Sequence, residues 1–300
     1  MATVRELIAE IAARFDAAQL HYGHGTDNAW DEAVYLVTQV LGIDDDVAEL
    51  EQSVETSNVA RLIEVADARI TTRTPLAHIL CTALYLGMDF VVREGVMIPR
   101  SPIGVALHQG QMDPWLPATV DHILDLCAGT GCLGIVAAKM FPQAEVDLLE
   151  IDPSAIEICE QNIERHGLSG RVRVIAGDVL AEDLGAPDQL SERYDLILAN
   201  PPYVSEQEMQ ELPSEYSFEP VTGLVSGRDG LEHISGILSQ AAQYLGHDGL
   251  FVGEVGATAP VFEKHFPQLP VIWLDLLEGG EGVFLLEGKD ISSHTARQLT

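Results

Sequence analysis

Apolar residues at Val4, Leu7, Ile8, Ile11, Phe15 and Ala18 recur at helical spacing and predict an amphipathic helix over about residues 3–20. Thr3 stands where a cap belongs, and Glu6 three residues on completes a capping box. A second helical pattern opens at Asp27, runs through Trp30, Ala33, Val34, Val37, Val40 and Leu41, and stops at Gly42. A third opens at Ser57, carries Leu62, Ile63, Ala66 and Ile70, and ends before Pro75. The pattern then changes. Residues 85–92 and 96–98 have strand composition on either side of Glu94-Gly95, which predicts a hairpin.

Beyond about residue 120, short apolar runs alternate with helical patterns, the rhythm of a mostly parallel sheet covered on both faces. Seven strands are expected, at 122–126, 146–150, 172–176, 196–199, 250–254, 271–275 and 282–287, the last antiparallel at the end. The chain therefore reads as α/β, with a helical segment at 1–74, a hairpin linker at 75–103, the sheet domain at 104–290 and a tail at 291–300. Residues 204–228 form a long irregular insertion, and loops of that length in compact domains are usually functional.

Four features fall at the carboxyl ends of the first four strands. The run Asp125-Leu-Cys127-Ala-Gly129-Thr-Gly131 is a strand entering a glycine turn and then a helix, where only glycine lets backbone approach a ligand closely. Glu150 ends the second strand, where an acid can accept both hydroxyl hydrogens of a ribose. Asp178 follows the third and can accept from an adenine amino group; Asn200 ends the fourth. Ligands of open α/β sheets bind outside these strand ends, so the four positions converge on one crevice. A dinucleotide fold would carry Gly-x-Gly-x-x-Gly around a pyrophosphate. Here Asp125 precedes the turn, an acid unsuited to phosphates and suited to a cationic amino-acid group, so S-adenosylmethionine fits better than NAD. A degenerate nucleotide fold without activity is the alternative.

Asn200-Pro201-Pro202-Tyr203 has two readings. Consecutive prolines after Asn make an ordinary strand-ending turn. Equally, the Asn side-chain oxygen, a main-chain carbonyl fixed by the following proline and the flat Tyr face can grip a planar NH2 group.

The net charge of −31, from 47 acidic against 16 basic residues, makes direct binding to a nucleic-acid backbone unexpected and suits a basic partner, although a solvated, salt-adapted surface has the same composition. Cys81, Cys127, Cys132 and Cys159 form no CxxC pair and have no His at metal-ligand spacing, so no metal site is expected. No apolar run approaches a membrane span, and a cytoplasmic protein is expected. His78, His108, His122, His166 and His233 read as surface or core, and none as an evident general base. Arg100, between Pro99 and Ser101-Pro102, reads as pairing an acid, steadying a cofactor entrance or meeting a substrate carboxylate.

Taken together, the glycine turn, Glu150, Asp178 and Asn200-Pro-Pro-Tyr203 resemble the class I, Rossmann-like methyltransferases that modify planar nitrogens. N6-adenine enzymes and protein-glutamine N5-methyltransferases share that tetrapeptide. Pro75-Leu-Ala-His-Ile-Leu80, Ile98-Pro-Arg-Ser-Pro-Ile103, Glu211-Leu-Pro-Ser-Glu-Tyr216, Glu219-Pro220 and Ser226-Gly-Arg-Asp-Gly230 resemble the glutamine family over nearly the whole chain. Pro99-Arg-Ser-Pro-Ile103, and Cys127 in place of a glycine, resemble the branch that acts on the third large-subunit ribosomal protein more than the release-factor branch. The resemblance implies a catalytic Asn200, Pro201, Pro202 and Tyr203. It also implies a cofactor set of Asp125, Cys127, Gly129, Gly131, Glu150, Asp178 and Asn200, and a basic ribosomal substrate met by the helical segment. A non-catalytic escort in ribosome assembly is the reading from another class.

Overall fold

A computed structural model describes residues 2–43, 49–186, 188–191, 193–277 and 279–291. The predicted tail lies outside them from residue 292. The amino-terminal part is three helices, α1 (Val4–Ala17), α2 (Ala29–Leu41) and α3 (Thr56–Thr72), followed by the short α4 (Leu76–Leu80). The expected capping box closes α1: Thr3 accepts from the Glu6 N–H, and the Glu6 carboxylate accepts from the Thr3 N–H at 2.9 Å. The other two starts differ from expectation. Asn28 rather than Asp27 caps α2, accepting from the Asp31 N–H at 2.9 Å, and α3 begins at Thr56 with no side-chain cap. Phe15, Leu36, Leu62 and Ala66 pack into a core shared by the three helices. Within it, α3 buries a guanidinium: Arg69 is 1% exposed, donates to Glu32 of α2 at 2.5 Å, and reaches the His21 carbonyl at 2.8 Å.

The hairpin is β1 (Thr82–Tyr85) and β2 (Met88–Val91). Its turn is Leu86-Gly87, both with positive φ, and not Glu94-Gly95. Two left-handed residues match the twist of a two-residue hairpin. Residues 96–98 are accordingly not a strand, because the Ile98 N–H is taken by the Glu219 side chain at 3.0 Å. Next come α5 (Pro102–His108), β3 (His122–Leu126), α6 (Cys132–Met140), β4 (Glu145–Glu150), α7 (Pro153–Arg165), β5 (Val172–Ala176) and β6 (Tyr194–Ala199). The insertion holds two 3-10 turns and α8 (Val221–Leu224), with Val204 bridged to Val225. The chain closes with α9 (Glu232–Tyr244), β7 (Leu245–Glu254), α10 (Ala259–His265), β8 (Ile272–Trp273) and β9 (Val283–Glu287).

The seven-stranded sheet has the order β5-β4-β3-β6-β7-β9-β8 and is parallel except for β9, which runs antiparallel to both neighbours. β9 inserts beside β7 rather than lying outermost, leaving the two-residue β8 at the edge. Alternate residues feed two cores. Ile123, Leu148, Leu196 and Leu250 face α5, α6 and α7, while Leu124, Leu149, Ile197 and Phe251 face α9 and α10. Chain order reverses at β3, so the crevice outside β4, β3 and β6 is the place where this topology accepts a ligand.

Because Arg69 has no route to water, its removal strands Glu32 as an uncompensated buried charge. Arg69→Ala is expected to lower stability by about 3–5 kcal/mol in urea unfolding.

Candidate active site

The crevice is a cavity of about 780 Å³, walled by residues 95–102, the turn after β3, the ends of β4, β5, β6 and β7, and the insertion. The turn needs three left-handed residues, Cys127 (φ 61), Gly129 (φ 58) and Gly131 (φ 77). Glycine takes that conformation freely, whereas Cys127 takes it at roughly 1–2 kcal/mol and presents its side chain to the cavity, where burial pushes the thiol well up. A Cβ on Gly131 would press Leu148 at 3.1 Å and the Cys159 Sγ at 3.2 Å. On Gly129 it would meet only Met97, at 3.9 Å, so it would occupy the space a ligand needs.

Glu150 anchors this turn. One carboxylate oxygen accepts from the Gly129 N–H at 2.7 Å and the other from the Ile151 and Asp152 N–H groups, both at 2.9 Å. Burial raises its carboxyl, and these N–H groups work against the rise. Asp125 departs from expectation. It does not line the cavity; it lies beneath the turn, where Oδ2 accepts from the Gly134 N–H of α6 at 2.8 Å, and burial pushes its carboxyl up to about 7. Its place is to hold the helix start that the turn leads into, because alternation along β3 puts Asp125 on the face of Ile123, which α6 covers.

Asp178 lines the cavity and accepts from the Leu180 N–H at 2.8 Å. His233, expected on the surface or in the core, also reaches the wall, bonded to the Ser226 hydroxyl at 2.8 Å. Asn200 is half-buried at the end of β6, and Pro201 and Pro202 are buried behind it. The Tyr203 hydroxyl donates to Glu254 at 3.1 Å, and its carbonyl accepts from Thr258 at 2.8 Å. Arg100 pairs an acid: both its terminal nitrogens donate to the Glu219 carboxylate, one at 2.6 Å. Among the described residues, no group of three or more His, Cys, Asp or Glu could hold a metal ion, and no helix is long and apolar enough to cross a membrane.

Of the residues singled out from sequence, Cys127, Gly129, Glu150, Asp178, Asn200, Pro201, Pro202 and Tyr203 all line this one cavity; Asp125 and Gly131 do not, and Gly131 instead lets the turn pack on Leu148 and Cys159. Glu254 and Ser101 were missed. The readable signal for Glu254 was an acid closing an otherwise apolar strand at its carboxyl end, the same position as Glu150; for Ser101 none stands out.

A family model for the methyltransferase small domain matches residues 112–215. Over 295 residues the chain is 39% identical to a protein of Bordetella pertussis named ribosomal protein uL3 glutamine methyltransferase, covering 97% of each. A Burkholderia pseudomallei protein of the same name is 37% identical over 297 residues, covering 96% of this chain and 95% of its own. The chain belongs to that glutamine methyltransferase family. The hMettl16 catalytic domain in complex with MAT2A 3′UTR hairpin 1 shares the fold at 15% identity and a TM-score of 0.53, over 95% of this chain and 92% of that one.

The methyl donor of this family is S-adenosylmethionine. The residues present fit it: Gly129 leaves a backbone cradle that a Cβ would fill, and Glu150 and Asp178 stand at adjacent strand ends with acceptor positions to spare.

Two outcomes follow from this geometry. Gly129→Ala is expected to weaken S-adenosylmethionine binding about tenfold by calorimetry while costing only about 1 kcal/mol of stability, because the added methyl enters the cavity and not the core. For Asp125, a folded carboxyl raised to about 7 means that the unfolded chain ionises first as pH climbs. Stability is then full below about pH 4 and declines up to about pH 7. Asp125→Asn, which cannot ionise, should gain melting temperature relative to wild type across that window.

Proposed function

We propose that this protein transfers a methyl group from S-adenosylmethionine to the side-chain amide nitrogen of a glutamine in ribosomal protein uL3. The observation that carries the reading is the placement of Asn200, half-buried at the end of β6 inside the cavity, with the buried Pro201 and Pro202 fixing the backbone behind it. The names of the two relatives, matched over nearly their full length, support the substrate.

An amide nitrogen is a weak nucleophile because its lone pair is shared with the carbonyl, so orientation must do most of the work. The Asn200 side-chain oxygen and the Pro201 carbonyl accept the two N–H bonds of the glutamine, aiming the lone pair outward. When bound, S-adenosylmethionine supplies an electrophilic methyl on a sulfonium. The Gly129 turn, Glu150 and Asp178 would hold that donor, which would supply the methyl to the gripped nitrogen while the amide would give up one N–H proton to water. The two carbonyl dipoles face the positive charge that grows on nitrogen, so they stabilise the transition state more than the ground state. Tyr203 closes the side of this grip.

The amino-terminal helices are the surface that recognises the protein around the glutamine. Their side of the cavity mouth belongs to the insertion, whose Glu208 and Glu211 are exposed and suit a basic protein segment. Such a substrate places the reaction in the cytoplasm.

Mass spectrometry of uL3 and release factors, incubated with enzyme and isotope-labelled cofactor, tests the assignment. Label is expected on a uL3 glutamine; label only on release factors, or only on nucleic acid, overturns it. Asn200→Ala should reduce transfer at least ~100-fold and leave cofactor affinity within about threefold, a split that a merely structural residue would not give.

A further inference from the structure

β7 ends at Glu254, one step beyond the Ala199–Gly253 register pair, so Glu254 stands beside Asn200 on the neighbouring parallel strand. The residue is 4% exposed and lines the cavity. Two donors from distant segments hold it: the Tyr203 hydroxyl at 3.1 Å on one oxygen and the Ser101 hydroxyl at 2.5 Å on the other. Ser101 in turn caps α5, accepting from the Ile103 N–H at 3.2 Å. The Tyr203 ring lies over Gly256, where a Cβ would come within 2.7 Å of it. Thr258 also holds its carbonyl, and the bond to Glu254 is the restraint that reaches the tip of the ring and fixes the hydroxyl.

We propose that Glu254 is a positioning residue for methyl transfer, its carboxylate clamping Tyr203 to Ser101 so that the strand-end loop and the linker close on the substrate amide as one surface. The proposal rests on the reading of Asn200 and Pro201 as the amide grip. Only the ionised carboxylate accepts from both hydroxyls at once; a protonated one must turn one oxygen into a donor. The titratable groups facing Glu254 are Tyr203 after β6, Arg100 in the linker and Tyr85 of β1, and Arg100 is already paired with Glu219. Burial pushes the Glu254 carboxyl up to about 7, with Ser101, Tyr203 and Arg100 opposing the rise, so the clamp engages as pH climbs through neutrality.

Glu254→Gln keeps the shape and removes the charge. In kcat measured from about pH 6 to 9, the wild type is expected to rise through a midpoint near 7. Glu254→Gln is expected to lie about tenfold or more below the wild-type plateau and to lack that rise, with cofactor Kd within about twofold. Tyr203→Phe keeps the ring and loses the same hydrogen bond. The double variant should therefore be no slower than the slower single variant. A wild-type rate and profile in Glu254→Gln, or single losses that multiply in the double variant, overturns the proposal. If Glu254→Gln does not fold, Tyr203→Phe decides: a lost or displaced rise near pH 7 supports the clamp, and an unchanged profile removes it. Asn200→Ala, assayed alongside, separates the two ideas. Active Asn200→Ala ends the amide-grip reading, whereas inactive Asn200→Ala beside a wild-type-like Glu254→Gln ends only the clamp.

Discussion

The pair formed by Arg100 and Glu219 joins the two walls on which the cavity depends. One partner lies in the linker, the other in the insertion, 119 residues apart in the chain. The Glu219 side chain is fully buried. Burial alone would raise its carboxyl, but the guanidinium of Arg100, bonded through two nitrogens, and the Ile98 N–H together bring it below the ordinary range. A desolvated carboxylate is tolerated only with that many donors, and the planar fork of arginine supplies two of them in fixed geometry. On its far side stands His24, with its Nε2 3.7 Å from the carboxylate and its ring 4.6 Å from that of Tyr216. The amino-terminal helices, the linker and the insertion thus meet at one buried charge. No one of them can shift without exposing it or leaving it unpaired.

A second constraint works against stability. Parallel strands deliver their carboxyl ends to one edge, and here three of them bring buried acids: Asp125, Glu150 and Glu254. Burial is the largest influence on each, and each is raised. Every one of these groups makes the folded chain less stable as pH rises, because the unfolded chain loses the proton first. Asp125 lies beneath the turn, but Glu150 and Glu254 line the strand-end cavity, and acids kept in that condition there are a sign of function more than of folding.

Much of this was legible in the chain. The seven strands and their parallel arrangement followed from apolar runs bounded by helical patterns, and the glycine turn, Glu150, Asp178 and Asn200-Pro-Pro-Tyr203 met in one cavity because strand ends of one sheet must. The misplaced features share a cause: they depend on contacts between segments far apart in sequence. Residues 96–98 have strand composition, yet a carboxylate from the insertion takes the Ile98 N–H and no ladder forms. Asp125 read as facing the ligand, but alternation along β3 turns it under the turn to hold α6. Arg100 had three readings until Glu219 was seen beside it. Glu254 carried no local motif, and its importance comes from Ser101, 153 residues away in the chain, and Tyr203 converging on it.

The acidic composition, ambiguous as a total, becomes informative by position. Exposed acids scattered over a surface act on a partner only within a Debye length, about 8 Å at physiological salt. The cavity gathers Glu150, Asp152, Asp178, Glu208, Glu211, Glu254 and Glu281, against one guanidinium, Arg100, that Glu219 already neutralises. Five of these seven divide by depth, with Asp152 and Asp178 half-buried between them. Glu150 and Glu254 are buried on the inner wall, while Glu208, Glu211 and Glu281 are exposed at the mouth. A general adaptation of the surface to salt gives no reason for acids on the inner wall. On the proposed function the buried set serves the chemistry, and the rim set, two of whose three members come from the insertion that also contacts His24 through Tyr216, meets the basic substrate.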